Sequence, residues 1–194
     1  MRTIRAVQAA TILAIAMGAT AAPAMAEPTT TCRASALRVQ LASVSQEPIL
    51  ANAPGTPCYN RRAVAGTISA ETSDFGSSVN AFTGFAAIGF VIPGIVELSL
   101  GDSVRTSAFA YCSGTTPVLG SFSHTHDIQV YPSAFAPPIL VTGQDPQTIP
   151  IAGVGTLQVN REIKTANRVT RQGLFLDTAL VDKVIGESTA GITC

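Results

Sequence analysis

The sequence predicts an all-β protein, most simply an antiparallel β-sandwich of about eight to ten short strands. Only 12% of the residues are charged, whereas a surface helix needs a charged face. The 16 glycines and 12 prolines suit frequent turns between strands. Several segments also alternate apolar and polar residues with a period of two, which is the pattern of a half-buried strand.

The first predicted strand covers residues 36–42, where leucine and valine recur at every second position. A short polar leader, residues 27–32, precedes it. A Pro-rich loop that ends at Cys58 follows it. Residues 63–71 form the next predicted strand.

Residues 82–100 are the most apolar stretch after residue 26. Glycines, Glu97 and the Pro93–Gly94 pair interrupt it, so it predicts two core strands with a turn between them and not a membrane span. Gly101–Asp102 is interpreted as a turn. Residues 104–112 alternate again and predict a strand.

The remaining predicted strands are residues 118–131, 139–142, 149–151, 155–161, 168–180 and 181–194. The first of them is interpreted as a strand or a hairpin. Pro150 places its segment at a sheet edge, because proline cannot donate a ladder hydrogen bond. The last two strands are expected to meet near Asp182–Lys183.

The N-terminus has the features of a secretory signal peptide. Arg2 and Arg5 give it a positive start, residues 11–22 are apolar, and a small-x-small cleavage site ends at Ala26. We therefore expect a secreted protein with a single domain over residues 27–194. Residues 1–26 hold two of the 12 basic and none of the 12 acidic residues, so residues 27–194 have a formal charge of −2. This charge gives no indication of nucleic-acid binding.

The cysteine content fits an oxidising compartment. The count is even, and in a secreted chain this predicts two disulfides, with three pairings possible. No C-x-x-C pair suggests a metal or redox motif. The four residues are Cys32, Cys58, Cys112 and Cys194.

Three segments together resemble the choice-of-anchor P family of secreted, mostly actinobacterial proteins. They are residues 104–112 (VRTSAFAYC), 153–160 (GVGTLQVN) and 184–194 (VIGESTAGITC). The resemblance implies an exported β-rich domain of unknown function with no catalytic residues to transfer. Members carry differing C-terminal surface anchors. This sequence shows no sorting motif or hydrophobic tail, so free secretion is expected.

The pairing Cys112–Cys194 is expected because both residues belong to the family pattern and would tie the final strand to a mid-chain strand. Cys32–Cys58 would then close a loop between cysteines that are neighbours in sequence.

The only two histidines, His124 and His126, would share one face of a strand, as a His-x-His metal pair requires. Asp127 would point to the opposite face. Ile128 and Val130 have the phase of the histidines, so both rings are expected on the core side or its rim. Two ligands make only a weak metal candidate, and we predict neither a metal site nor another cofactor.

No G-x-S-x-G motif is present, and the carboxylates are spread singly along the chain, as on a solvated surface. We therefore expect no enzyme but a structural or adhesion-like binding protein, with a cell-envelope or extracellular polymer as partner. The alternative is an extracellular hydrolase whose site the sequence does not reveal.

One group of basic residues is expected to be a solvated hairpin loop, the alternative being contact with an anionic envelope polymer. Its members are Arg161, Lys164, Arg168 and Arg171.

Overall fold

The computed structural model describes residues 27–41, 44–86, 89–92, 96–131, 137 and 139–194. The predicted signal peptide, residues 1–26, lies outside this range. The regular structure within it is all β, which confirms the predicted fold class. No segment of the described chain forms a helix with the length and hydropathy that crossing a bilayer requires.

Thirteen strands run through the described residues, more than expected in part because β2 was not predicted and residues 63–71 belong to two strands. They are β1 (Thr29–Leu41), β2 (Val44–Ala51), β3 (Arg61–Ala65), β4 (Ile68–Asp74), β5 (Ser78–Ala86), β6 (Gly89–Ile92), β7 (Val96–Ser113), β8 (Thr116–Val130), β9 (Ile139–Gly143), β10 (Gln147–Ile151), β11 (Gly155–Lys164), β12 (Arg168–Thr178) and β13 (Val181–Thr193).

The strands form two antiparallel sheets. The six-stranded sheet has the order β10-β11-β12-β13-β1-β2. The seven-stranded sheet has the order β3-β4-β5-β7-β8-β9, with β6 paired to β7 as well. The first and last strands are thus neighbours in the six-stranded sheet, and β1 lies between β13 and β2. This topology brings residues from both ends of the chain onto one surface.

Small side chains let the two sheets approach closely. A Cβ atom on Gly173 of β12 would lie 2.3 Å from Cγ1 of Val104 in the opposite sheet. Buried hydroxyls continue the contact, since Thr106 Oγ1 lies 2.7 Å from both Thr83 Oγ1 and Ser188 Oγ. Each buried hydroxyl therefore has a partner, as burial of a polar group requires.

Both expected disulfides are present. Cys32 of β1 is bonded to Cys58 in the loop after β2, with a Cα–Cα distance of 4.8 Å. Cys112 of β7 is bonded to Cys194 directly after β13, with a Cα–Cα distance of 5.8 Å. The second bond links the two sheets of the sandwich.

Two predictions in the N-terminal half were wrong in detail. Residues 63–71 are not one strand, because β3 and β4 form a hairpin whose turn contains Gly66 at a φ of 60°. The polar leader is already strand from Thr29 onward, since a neighbouring strand supplies backbone partners whatever the side chains are.

Further differences lie in the C-terminal two thirds. Gly101–Asp102 is not a turn but part of β7, at a register shift between Leu100 and Ser103. β12 ends at Thr178, before the junction that the sequence suggested. For residues 118–131 the first of the two interpretations is confirmed, since β8 is one strand. The edge position of β10 is confirmed. The predicted turn at Pro93–Gly94 lies outside the described residues.

Candidate binding cleft

The outer face of the six-stranded sheet is polar where β1, β13 and β12 meet. Ser188 points inward to Thr106 of the other sheet, so Glu187 and Thr189 on either side of it point outward. Arg33 lies opposite Thr189, and Gln172 lies opposite Glu187. Register therefore gathers arginine, glutamate, threonine and glutamine side chains on one surface.

These side chains line a cleft of about 770 Å³. Strands β1, β2, β12 and β13 supply most of the lining, and the loop after β2 supplies a wall. Residues in the cleft lining include Thr31, Arg33, Arg38, Gln40, Ser45, Glu47, Leu50, Pro54, Thr56, Ile163, Arg168, Thr170, Gln172, Glu187 and Thr189.

Two glutamates and two arginines form an ion network in the cleft. Arg33 binds Glu187 through Nη1 and Glu47 through Nη2. Arg38 donates from Nη2 to Glu187 Oε2 at 2.6 Å, and its Nε lies 3.8 Å from Glu47 Oε1. Gln172 Nε2 donates to Glu187 Oε2 at 2.6 Å. Both oxygens of Glu187 are thus held by described donors.

The network is largely shielded from water. The side chain of Glu187 is 5% exposed, and those of Glu47 and Arg33 are 12% and 13% exposed. Charges at such depth are tolerable only when paired, and here the two signs balance. The hydrogen bonding is incomplete, because Arg33 Nε, Arg38 Nε and Gln172 Oε1 are buried with no hydrogen-bond partner among the described residues.

This convergence is not evident in the sequence. The interpretation of the carboxylates as isolated surface groups was wrong for Glu47 and Glu187. They are far apart in the chain. They come into one ion network because β2 and β13 are the two neighbours of β1 in the sheet. One signal was available: Glu187 is the single carboxylate within a long run of apolar and small residues, where a charge is unexpected.

The predicted solvated basic cluster was wrong for Arg171. This residue is 8% exposed and donates from Nε to Ser123 Oγ at 2.7 Å and from Nη2 to the Gln144 carbonyl at 2.9 Å. Burial lowers the pKa of its guanidinium, and the charge of Glu162 opposes that shift. Arg171 therefore fastens the six-stranded sheet to the loop after β9.

The other basic residues of that cluster have separate surroundings. Arg161 lies 4.6 Å from the centroid of the Phe175 ring, within the range of a cation–π contact. Lys164 donates to the Leu119 carbonyl at 3.2 Å. Arg168 is exposed and lines the cleft.

The phase predicted for the histidine pair was wrong at His124. That residue is half-buried opposite exposed Arg105, whereas its neighbour Thr125 is fully buried. A register shift between Thr125 and Ile128 then reverses the phase of the strand. The side chains of His126 and Asp127 lie outside the described residues. No three His, Cys, Asp or Glu side chains of the described chain gather as metal ligands.

Aromatic side chains stand on the outer face of the other sheet. Phe122 is 45% exposed, and Phe109 and Tyr111 are also exposed. The Phe109 ring covers Gly120, where an added Cβ atom would lie 2.1 Å from the ring. Some of the few aromatic residues of the sequence thus lie on this surface, which is separate from the cleft.

Comparison with protein-family models, with curated proteins and with solved structures finds no match to this chain. The choice-of-anchor P resemblance stays a prediction from three sequence segments. The geometry of the cleft therefore carries the functional argument.

Proposed function

We propose that this protein is a secreted β-sandwich that binds an extracellular or cell-envelope polymer in the cleft of its six-stranded sheet. The observation that carries the proposal is the burial of the Glu187 side chain on the outer face of the sheet. Its carboxylate holds Arg33, Arg38 and Gln172 in place there. A buried ion pair adds little stability over apolar residues of similar size. Its benefit here is a rigid polar surface, which lowers the entropy cost of binding a polar ligand.

The occupied carboxylate oxygens favour binding over catalysis. A general acid, general base or nucleophile must reach the substrate with a free oxygen. In Glu187, Oε1 accepts from Arg33, and Oε2 accepts from Arg38 and Gln172. This carboxylate therefore serves to hold the surrounding side chains in place.

An extracellular hydrolase is the second candidate. It is favoured by the convergence of two carboxylates, Glu47 and Glu187, in one cleft, since paired carboxylates are the machinery of glycoside hydrolysis. Glu47 is the better candidate for a reacting group, because both of its described ion pairs are made by Oε1 alone.

Export is supported by the signal-like leader and by the two disulfides, which persist in oxidising compartments. Mass spectrometry of culture supernatant is expected to show a chain that starts at Glu27. Recovery of the protein only from a detergent-soluble or wall-linked fraction would contradict free secretion.

The binding function is tested by filling the cleft. Ser45 is exposed in its lining, so Ser45→Trp adds bulk there without disturbing the core. In co-sedimentation with isolated envelope polysaccharide we expect at least a tenfold loss of binding. Ser77→Trp, in an exposed turn outside the cleft lining, is the matched control and is expected to bind normally.

An assay for hydrolysis of the same polymers separates the two candidate functions. Release of reducing ends by the wild-type protein, abolished in Glu47→Gln with the fold intact, would establish the hydrolase and overturn the binding proposal. Polymer binding without such release supports the binding proposal.

A further inference from the structure

Two neighbouring rows of side chains cross the cleft floor at the end nearer to Cys32. Thr31 lies opposite Gly191, and Gly191 lies opposite Arg168. In the next row Arg33 lies opposite Thr189. An added Cβ atom at Gly191 would lie 2.7 Å from Thr31 Oγ1 and 3.5 Å from Arg168 Cβ, so the absence of a side chain lets the Thr31 hydroxyl lie against Gly191 beside Arg168.

The charges of the cleft do not cancel at this end. Arg33 and Arg38 are matched by Glu47 and Glu187, whereas Arg168 has no ion pair among the described residues. The described lining therefore carries one excess positive charge, on an exposed guanidinium. A guanidinium presents parallel N–H donors that fit a carboxylate in a bidentate pair.

The rest of the surface suits a ligand with many hydroxyl groups. Thr170 and Thr189 share a hydrogen bond of 2.9 Å and stand beside Gln172, whose Oε1 is buried without a described partner. No aromatic side chain is among the described residues of the lining, so sugar rings cannot be held there by stacking. Affinity must come from hydrogen bonds and charge.

We propose, resting on the binding function above, that the cleft binds an acidic polysaccharide and that Arg168 pairs with the carboxylate of a uronic acid unit. The hydroxyls of Thr31, Thr170 and Thr189 then face the hydroxyls of the sugar. A guanidinium also forms bidentate pairs with phosphate, so a phosphate polymer is the competitor that the test includes.

The test uses oligogalacturonate and the same oligosaccharide as its methyl ester, in which a methyl group replaces the negative charge of each carboxylate. Isothermal titration calorimetry is expected to show at least tenfold tighter binding of the acid form, weakening as salt is added. Arg168→Gln is expected to remove this preference, and Arg168→Lys to restore part of it. Arg62→Gln is the control with the same change of charge, since Arg62 is 69% exposed in an ion pair outside the cleft lining.

Equal binding of acid and ester would overturn the carboxylate proposal while leaving the binding function in place. Tighter binding of inorganic polyphosphate than of oligogalacturonate would overturn it too. Loss of binding in Phe122→Ala, with Arg168→Gln unaffected, would move the site to the aromatic face and overturn it. Polymer binding that is unchanged in Ser45→Trp would contradict the proposed function itself. Thermal unfolding of each variant confirms that the fold is retained.

Discussion

Arg38 Nη2 donates to Glu187 Oε2 at 2.6 Å, and this contact joins the first strand of the sandwich to the last. Both residues lie on the outer face of the six-stranded sheet, where Arg33 and Gln172 also bind Glu187. The contact exists because β1 pairs with β13 along most of its length. One carboxylate on β13 thus orders side chains from β1 and β12.

Glu187→Gln is expected to destabilise the protein strongly. The substitution leaves two largely buried guanidiniums short of negative charge, and breaking a buried ion pair in this way costs about 3–5 kcal/mol. Urea unfolding of the disulfide-intact protein measures the change in the free energy of unfolding.

Glu71→Gln is the matched control for that substitution. Glu71 pairs with Arg62 at 3.9 Å on an exposed surface, where an ion pair contributes about 0–1 kcal/mol. Equal losses in the two variants would show that the burial of Glu187 adds nothing.

The fold class could be predicted from local patterns and the number of disulfides from the cysteine count, whereas the pairing of the cysteines came from the family resemblance and their order in the sequence. The ion network could not be predicted, since it depends on which strands become neighbours. Glu47 and Glu187 look isolated in sequence and meet only through sheet order. His124 shows another limit: its phase was inferred from Ile128 and Val130, and the register shift between Thr125 and Ile128 makes that inference wrong.

Gly173→Ala is expected to destabilise the packing between the sheets. The new methyl group would lie 2.3 Å from Val104 Cγ1 and 3.1 Å from the Ile185 carbonyl, and overpacking of a core costs about 1–3 kcal/mol. The variant's thermal midpoint and urea curve measure this loss.

A second substitution identifies the cause. Val104→Ala removes the methyl group that is in the way, so Gly173→Ala is expected to cost less in that background than in the wild type. Strict additivity of the two changes would contradict the proposed contact with Val104.

The two disulfides are expected to stabilise the protein unequally. Their cysteines are separated by 26 and 82 positions, and the larger loop loses more unfolded-state entropy when it is closed. Chain-entropy arithmetic gives roughly 3.5 kcal/mol for Cys32–Cys58 and 4.5 kcal/mol for Cys112–Cys194. Urea unfolding of each double Cys→Ala variant compares them.

Peptide mapping under non-reducing conditions checks the pairing itself. A peptide that links Cys32 to Cys194 would contradict both bonds. A larger loss of stability from the Cys32–Cys58 deletion would contradict the expected order.

Asn160 combines a left-handed backbone with a buried amide. It has a φ of 55° and is fully buried, and its Nδ2 donates to the carbonyls of Gly143 at 3.0 Å and Asp145 at 3.2 Å. These bonds hold the loop after β9 against the six-stranded sheet. Their loss is expected to cost about 1–3 kcal/mol.

Asn160→Gly and Asn160→Ala separate the two contributions. Both variants lose the amide, but alanine also takes on a left-handed conformation that costs L-residues about 1–2 kcal/mol and glycine nothing. We therefore expect the alanine variant to be less stable by that amount in urea, with faster hydrogen exchange at the amides of residues 143–145 in both. Gln158→Ala, on the same strand, is the control and is expected to stay within about 0.5 kcal/mol of the wild type. Equal stability of the glycine and alanine variants would show that the backbone of residue 160 carries no strain, and unchanged exchange would show that the amide does not hold the loop.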